Sequence, residues 1–280
     1  MKKILAAFDG LKFSESTRDY AIEIARKNNA HLVGLFLEDV TYHSYKIYEM
    51  ITEEGGGLDT KRKHLEKKDE KTRAVAVANF ETACKKAELE YTVHKDRNIA
   101  IQEILKESIY ADLVIIDSSE SLTHHPEDIP TRFIHDFLTD LQCPVMIVPK
   151  KFQPIDKLVL LFDGEPSSVH AIKMLSYTLD ALKENPVEVV TVKNEKHTFN
   201  IPDSRLMKEF MQRHFPKAGF VTLEGLPEIA IVNYLKGQKG NPLVALGAYG
   251  RGKISRWFRA SMADILLKQF KFPLFIAHNK

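Results

Sequence analysis

The stretch Lys3-Ile4-Leu5-Ala6-Ala7-Phe8-Asp9-Gly10 returns in the second half of the chain as Lys157-Leu158-Val159-Leu160-Leu161-Phe162-Asp163-Gly164. Both are short apolar runs that end in Phe-Asp-Gly, and each leads into a helical pattern. Ser14 and Ser168 both follow the Asp by the same spacing, where a hydroxyl can cap a helix N-terminus. Two more matches follow in the same order. Ala111-Asp112-Leu113-Val114-Ile115-Ile116-Asp117 pairs with Asn241-Pro242-Leu243-Val244-Ala245-Leu246-Gly247, and Cys143-Pro144-Val145-Met146-Ile147-Val148 pairs with Phe272-Pro273-Leu274-Phe275-Ile276-Ala277. Three ordered matches mark an internal duplication. The repeats are expected at residues 1–150 and 151–280. The extra residues of the first fit a Tyr- and charge-rich insertion near 41–70 that holds Gly55, Gly56 and Gly57.

Each repeat alternates apolar runs with helical stretches. In the first, strands are predicted near 3–8, 31–37, 91–95, 112–117 and 144–148, and helices near 14–28, 61–89, 99–109 and 130–141. In the second, strands are predicted near 157–162, 187–192, 218–223, 243–246 and 273–277, and helices near 167–183, 203–214, 227–236 and 261–270. Leu113-Val114-Ile115-Ile116 is apolar throughout, as a strand covered on both faces must be. The fold class is therefore α/β, with two tandem open parallel-sheet, Rossmann-like domains. Such sheets bind ligands beyond the carboxyl ends of their strands, where strand order reverses, and Asp163 and Gly247 sit at those ends.

The 280 residues contain 44% apolar and 28% charged residues, which is globular composition rather than disorder. Five apolar residues between Lys3 and Asp9 are too few for a secretory segment, and no apolar run reaches the length of a membrane span. Cys84 and Cys143 read as reduced packing residues, so a cytoplasmic protein is expected. The net charge of +2 conceals a division: residues 1–150 carry −5 and residues 151–280 carry +7. An anion site belongs in the second half.

The loop after Gly247 reads Gly247-Ala248-Tyr249-Gly250-Arg251-Gly252-Lys253, continues to Arg259-Ala260-Ser261-Met262, and then enters a helix. Small residues let backbone N–H groups approach an anion, and a helix start adds unpaired donors. A flexible glycine turn with a solvated basic face is the plainer reading. Gly247-x-x-x-x-Gly252-Lys253 imitates a P-loop, but Ile254 replaces the magnesium-binding hydroxyl, and the loop follows the fourth strand of its repeat rather than the first.

These residues resemble the universal stress protein family in its tandem two-domain form. ATP-binding members carry Gly, two residues, Gly, nine residues, then Gly-Ser or Gly-Thr. Here Gly247, Gly250 and Ala260-Ser261 keep the spacing, with alanine in place of one glycine. The resemblance implies an adenine nucleotide alpha hydrolase-like fold and domains paired through their last strands as an intramolecular pseudo-dimer. It implies that Asp163 and Val192 face ribose and adenine. It also implies that the backbones of Gly247, Gly250 and Ala260 and the hydroxyl of Ser261 face phosphates, with Gly164, Arg251 and Met262 completing the set. The ligand implied is ATP, with or without magnesium.

The first repeat departs from that pattern. Asp117 stands where Gly247 does, followed by Ser118, Ser119 and Glu120, and carboxylates there repel polyphosphate. Asp9 and Leu37 remain where a nucleoside could lie. Asp117, His124, His125, Glu127 and Asp128 read as a polar loop rather than a metal site. His214 and His278 read as structural, and Ser167 and Ser168 as helix cap rather than nucleophile. Acids interrupt the Lys- and Arg-rich helix near 61–89, so it reads as a solvated face and not as a nucleic-acid surface.

The leading expectation is a stress-response ATP-binding regulator with little or no turnover, either a monomeric pseudo-dimer or a homodimer. No catalytic residue and no metal site are assigned. A scaffold of the same fold that binds no nucleotide and a slow ATPase are the alternatives. An adenylating ligase is disfavoured, because Asp163-Gly164-Glu165-Pro166 offers one glycine where such enzymes need a glycine-rich loop.

Overall fold

The computed structural model describes residues 2–39, 58–123, 127–193, 204–247 and 260–277. The chain divides into two compact units, Met1–Gln142 and Cys143–Lys280.

The first unit holds β1 (Lys3–Asp9), α1 (Glu15–Lys27), β2 (His31–Asp39), α2 (Leu58–Lys86), β3 (Tyr91–Asn98), α3 (Ala100–Ser108), β4 (Leu113–Asp117) and α4 (Arg132–Asp140). Its strands run β3-β2-β1-β4, all parallel. The apolar runs form the central strands: every residue of β4, and all of β1 beyond Lys3, is buried. Edge strand β3, Tyr-Thr-Val-His-Lys-Asp-Arg-Asn, has no fully buried residue, and its charges guard an unpaired edge. Ser14 caps α1 by accepting from the Thr17 N–H at 3.2 Å, as its spacing predicts. Long helix α2 is tied down at its C-terminal half, where Phe80 meets Phe8, Phe36 and Tyr91 edge to face. Of the insertion expected near 41–70, residues 41–57 lie outside the described residues.

The second unit holds β5 (Val145–Val148), β6 (Lys157–Leu161), α5 (Pro166–Thr178), a 3-10 turn (Asp180–Glu184), β7 (Val187–Val192), α6 (Ser204–His214), β8 (Gly219–Leu223), α7 (Pro227–Lys236), β9 (Pro242–Gly247), α8 (Ala260–Gln269) and β10 (Leu274–Ala277). Its strand order is β5-β10-β9-β6-β7-β8. All neighbours are parallel except β5 and β10, which pair antiparallel through Leu274↔Ile147, Phe275↔Met146 and Ile276↔Val145. The closing strands of the two repeats thus cover each other's edges, as the resemblance implies. The boundary between units falls ahead of β5 because β5 hydrogen-bonds to β10.

One expectation is corrected. Ser168 does not cap α5. Glu165 occupies that position and Pro166 the first helical turn, where its fixed φ suits it, so Ser168 lies inside the helix and its Oγ donates to the Glu165 carbonyl at 2.8 Å. The predicted helix 167–183 also ends early, at Thr178, and gives way to the 3-10 turn.

Candidate functional site

The switch point of each repeat lies where its first strand neighbours both its second and its fourth: β1 between β2 and β4, and β6 between β7 and β9. Asp163, Gly164, Val192 and Gly247 of the sequence-predicted residues lie at or just after strand ends there. Asp163 follows β6, is 8% exposed, and accepts the Glu165 N–H on Oδ1 at 3.0 Å. Asp9 does the same in the first repeat, 4% exposed, with the Leu11 N–H at 2.8 Å from Oδ1. The Asp of each Phe-Asp-Gly run therefore folds its own strand-to-helix turn before it meets any ligand. Gly164, in the same turn, has φ +85°. Val192 ends β7, buried. Ala260 and Ser261 open α8, and the side chain of Met262 is fully buried in the next position. Gly250 and Arg251 lie outside the described residues, as do His124, His125 and His278.

Gly247 ends β9 against the first turn of α5. A Cβ there would lie 2.4 Å from both the carbonyl carbon and oxygen of Ser167 and 2.8 Å from the Ser168 nitrogen. Only a residue without a side chain permits that approach. The second repeat's switch point is accordingly walled by backbone at this position.

The first repeat builds the equivalent place from carboxylates. Asp117 ends β4, buried, and accepts from the Ser14 hydroxyl at 2.8 Å on Oδ2 and from the Ser119 N–H at 2.8 Å and hydroxyl at 2.7 Å on Oδ1. Glu120, 6% exposed, turns inward. Its Oε1 accepts from the Ser121 N–H at 3.0 Å and the Leu122 N–H at 3.1 Å, and its Oε2 accepts from the Asp9 N–H at 3.4 Å. Burial, reinforced by the nearby Asp9 and Asp117 charges against the Leu122 and Asp9 N–H bonds, pushes the Glu120 carboxyl up to about 7. Burial also raises Asp9, opposed by the Leu11 N–H and by Lys12 and Arg73. Sequence reasoning found the charges of this loop but not their burial. A Glu two residues before a Leu at φ +51° carries no sign that it folds inward.

Beside this loop, a cleft of about 590 Å³ opens between α2 and the carboxyl ends of β2 and β3. Its floor includes Phe36, Leu37 and Val77, and its rim carries Arg73, Lys95 and Arg97 among acids. Glu38 bridges Arg73 at 3.3 Å and Arg97 at 3.4 Å across it.

His214 resolves into structure. His214 stacks on Phe210 with centroids 4.2 Å apart and bonds through Nδ1 to the Ser176 hydroxyl at 2.5 Å. Ser176 spends its own proton on the Lys173 carbonyl at 2.8 Å, so this contact is packing rather than an activated nucleophile. Among the described residues no cluster of three His, Cys, Asp or Glu could hold a metal, and no helix is long and apolar enough to cross a membrane.

The α/β fold of the chain is one that solved universal stress proteins share over their whole length. Over 294 aligned residues the chain is 24% identical to the universal stress protein Slr1230 of Synechocystis, covering 98% of this chain and 99% of that one. A universal stress protein from Archaeoglobus fulgidus superposes with a TM-score of 0.70 at 15% identity, covering 99% of this chain and 96% of its own. A putative universal stress protein from Pseudomonas aeruginosa gives 0.57 at 14% identity, with 99% and 93% covered. No family model matches the chain.

Proposed function

We propose that the second repeat binds one adenine nucleotide, ATP with or without magnesium, and that its occupancy is a signal with little or no turnover. The observation that supports this reading is the contrast between the two switch points. At Gly247 the second repeat presents backbone only, packed on the first turn of α5. At Asp117 and Glu120 the first repeat presents carboxylates that already hold its donors. Polyphosphate is favoured by backbone N–H groups, helix N-termini and positive charge, and the half that carries +7 has the charge and the start of α8 after Gly247.

In this reading Asp163 meets the ribose and Val192 the adenine. Gly247, Gly250, Ala260 and Ser261 meet the phosphates beside Arg251, with Gly164 and Met262 shaping the turn and helix on either side. Asp163 is held as a turn-forming acceptor, a poor position for a general base. The first repeat acts as the partner domain, and the protein works in the cytoplasm.

The test is whether nucleotide accompanies the purified protein, read from its ultraviolet spectrum and from the mass of what denaturation releases. Retained adenine nucleotide supports the reading. Protein free of nucleotide that shows no binding at millimolar ATP would instead make the fold a scaffold.

A further inference from the structure

Ahead of α4, the residues that follow β4 are tied down at Glu120 and Thr123, and Glu120 is itself a buried acid. The Thr131 hydroxyl donates to the Glu120 carbonyl, and the Lys12 ammonium donates to the Thr123 carbonyl. The Glu120 side chain points inward to the Asp9 backbone, and Leu122, 7% exposed, lines a small hollow with Asp9, Leu37, Asp39 and Arg73. We propose that residues 118–123 form a pH-controlled latch over the carboxyl end of β1, closed while the buried Glu120 carboxyl keeps its proton and released when it ionises beside Asp9.

The geometry makes the pair hard to charge twice. Both groups are nearly withdrawn from water, and Glu120 accepts from the Asp9 backbone N–H at 3.4 Å. Burial first, and then the neighbouring Asp9 and Asp117 carboxylates, oppose a charge on Glu120. The groups that face them are Asp117 from β4, Lys12 from the β1–α1 turn, Arg73 from α2, and Glu38 and Asp39 from the end of β2. Lys12 and Arg73 act on Asp9 and draw it toward its charged form, whereas no cation acts on Glu120, so of the two it is Glu120 that keeps its proton. Asp117 is already committed to Ser14 and Ser119 and adds repulsion.

The sign follows from linkage. A carboxyl raised in the folded state to about 7 from 4.5 binds its proton more tightly there than in the opened loop. The stability this contributes is complete below the unfolded value and is lost as pH rises through 7. Release would uncover the N–H groups of Asp9, Ser121 and Leu122 beside the charged cleft of the first repeat.

Hydrogen exchange of peptides spanning 118–123, at pH 6 and pH 8 with times scaled for the intrinsic chemical rate, tests the latch. Protection should fall about tenfold from pH 6 to pH 8, because one pH unit below the midpoint the bound proton still favours the closed loop about tenfold and one unit above it hardly at all. Glu120→Gln keeps an acceptor for Ser121 and Leu122 and cannot ionise, so its protection should match at both pH values. Equal protection of the unaltered protein at pH 6 and 8, or the same fall in Glu120→Gln, would overturn the proposal. If the variant does not fold, carbon-13 carboxyl NMR of the unaltered protein decides. A Glu120 midpoint near 7 supports the latch, and one below 5 removes it.

Discussion

Gly247 and Ser167 approach so closely that a methyl group on Gly247 would sit 2.4 Å from the Ser167 carbonyl. The contact joins the end of β9 to the first turn of α5 and so sets the width of the second repeat's switch point. Gly247→Ala must push strand from helix. Overpacking of this kind costs about 1–3 kcal/mol. The melting temperature should fall by roughly 2–4 °C per kcal/mol in a chain of this size. Scanning calorimetry checks that, and ATP titration should show weakened binding in the same protein. An unchanged melting curve would mean that the contact relaxes freely.

Gly34 makes the corresponding packing demand on the first repeat. On β2, it leaves space for the Phe80 ring of α2, whose atoms would lie 2.6–3.0 Å from an added Cβ. Phe80 is fully buried among Phe8, Phe36 and Tyr91 and has nowhere to retreat. Gly34→Ala should destabilise by about 1–3 kcal/mol, read as a lower urea midpoint with an unchanged slope. A neutral result would place α2 looser on the sheet than its contacts imply.

How much of this was legible in the sequence depends on the range of the interaction. The strands and most helices were legible because apolar runs and capping residues are local signals, and duplication gave each a second witness. The start of α5 misled because two local signals competed. The hydroxyl of Ser168 stood at the capping distance seen in Ser14, but Pro166 and Glu165 won by fixing the backbone earlier. The Asp9 and Asp163 turns were legible as strand ends, though not as side-chain bonds to their own backbones. The inward turn of Glu120 was not legible, since it depends on Asp9, Leu122 and Thr131 meeting in space. The link from Asp117 to Ser14 is likewise a product of the β1–β4 pairing.

The two cysteines should differ sharply in reactivity. Cys84 is fully buried in α2 and burial pushes its thiol up to about 12, whereas Cys143, ahead of β5, is partly exposed. Thiolate is the reactive form, so at pH 8 iodoacetamide should label Cys143 and spare Cys84. Both should react after denaturation. Mass spectrometry of tryptic peptides reads the outcome, and rapid native labelling of Cys84 would show α2 opening from the sheet.

The last expectation concerns which repeat works. Asp9 and Asp163 form the same turn, so their removal should cost the two folds similarly, about 1 kcal/mol for one hydrogen bond each. Their effect on a nucleotide should not be similar. In the first repeat Glu120 takes the N–H groups of Ser121, Leu122 and Asp9, and Asp117 takes that of Ser119. In the second repeat the strand end at Gly247 carries no side chain at all. Charge-assisted bonds to backbone N–H groups contribute roughly 1.5–3 kcal/mol each, so a repeat that has lost several binds polyphosphate more weakly by orders of magnitude. Calorimetric titration with ATP and magnesium should therefore give about one nucleotide per chain. Asp163→Ala should weaken that event about tenfold, the equivalent of roughly 1.4 kcal/mol, while Asp9→Ala leaves it nearly intact. Two equal sites per chain, or one site abolished by Asp9→Ala alone, would assign the nucleotide to the first repeat and make the carboxylates of Asp117 and Glu120 part of its binding surface.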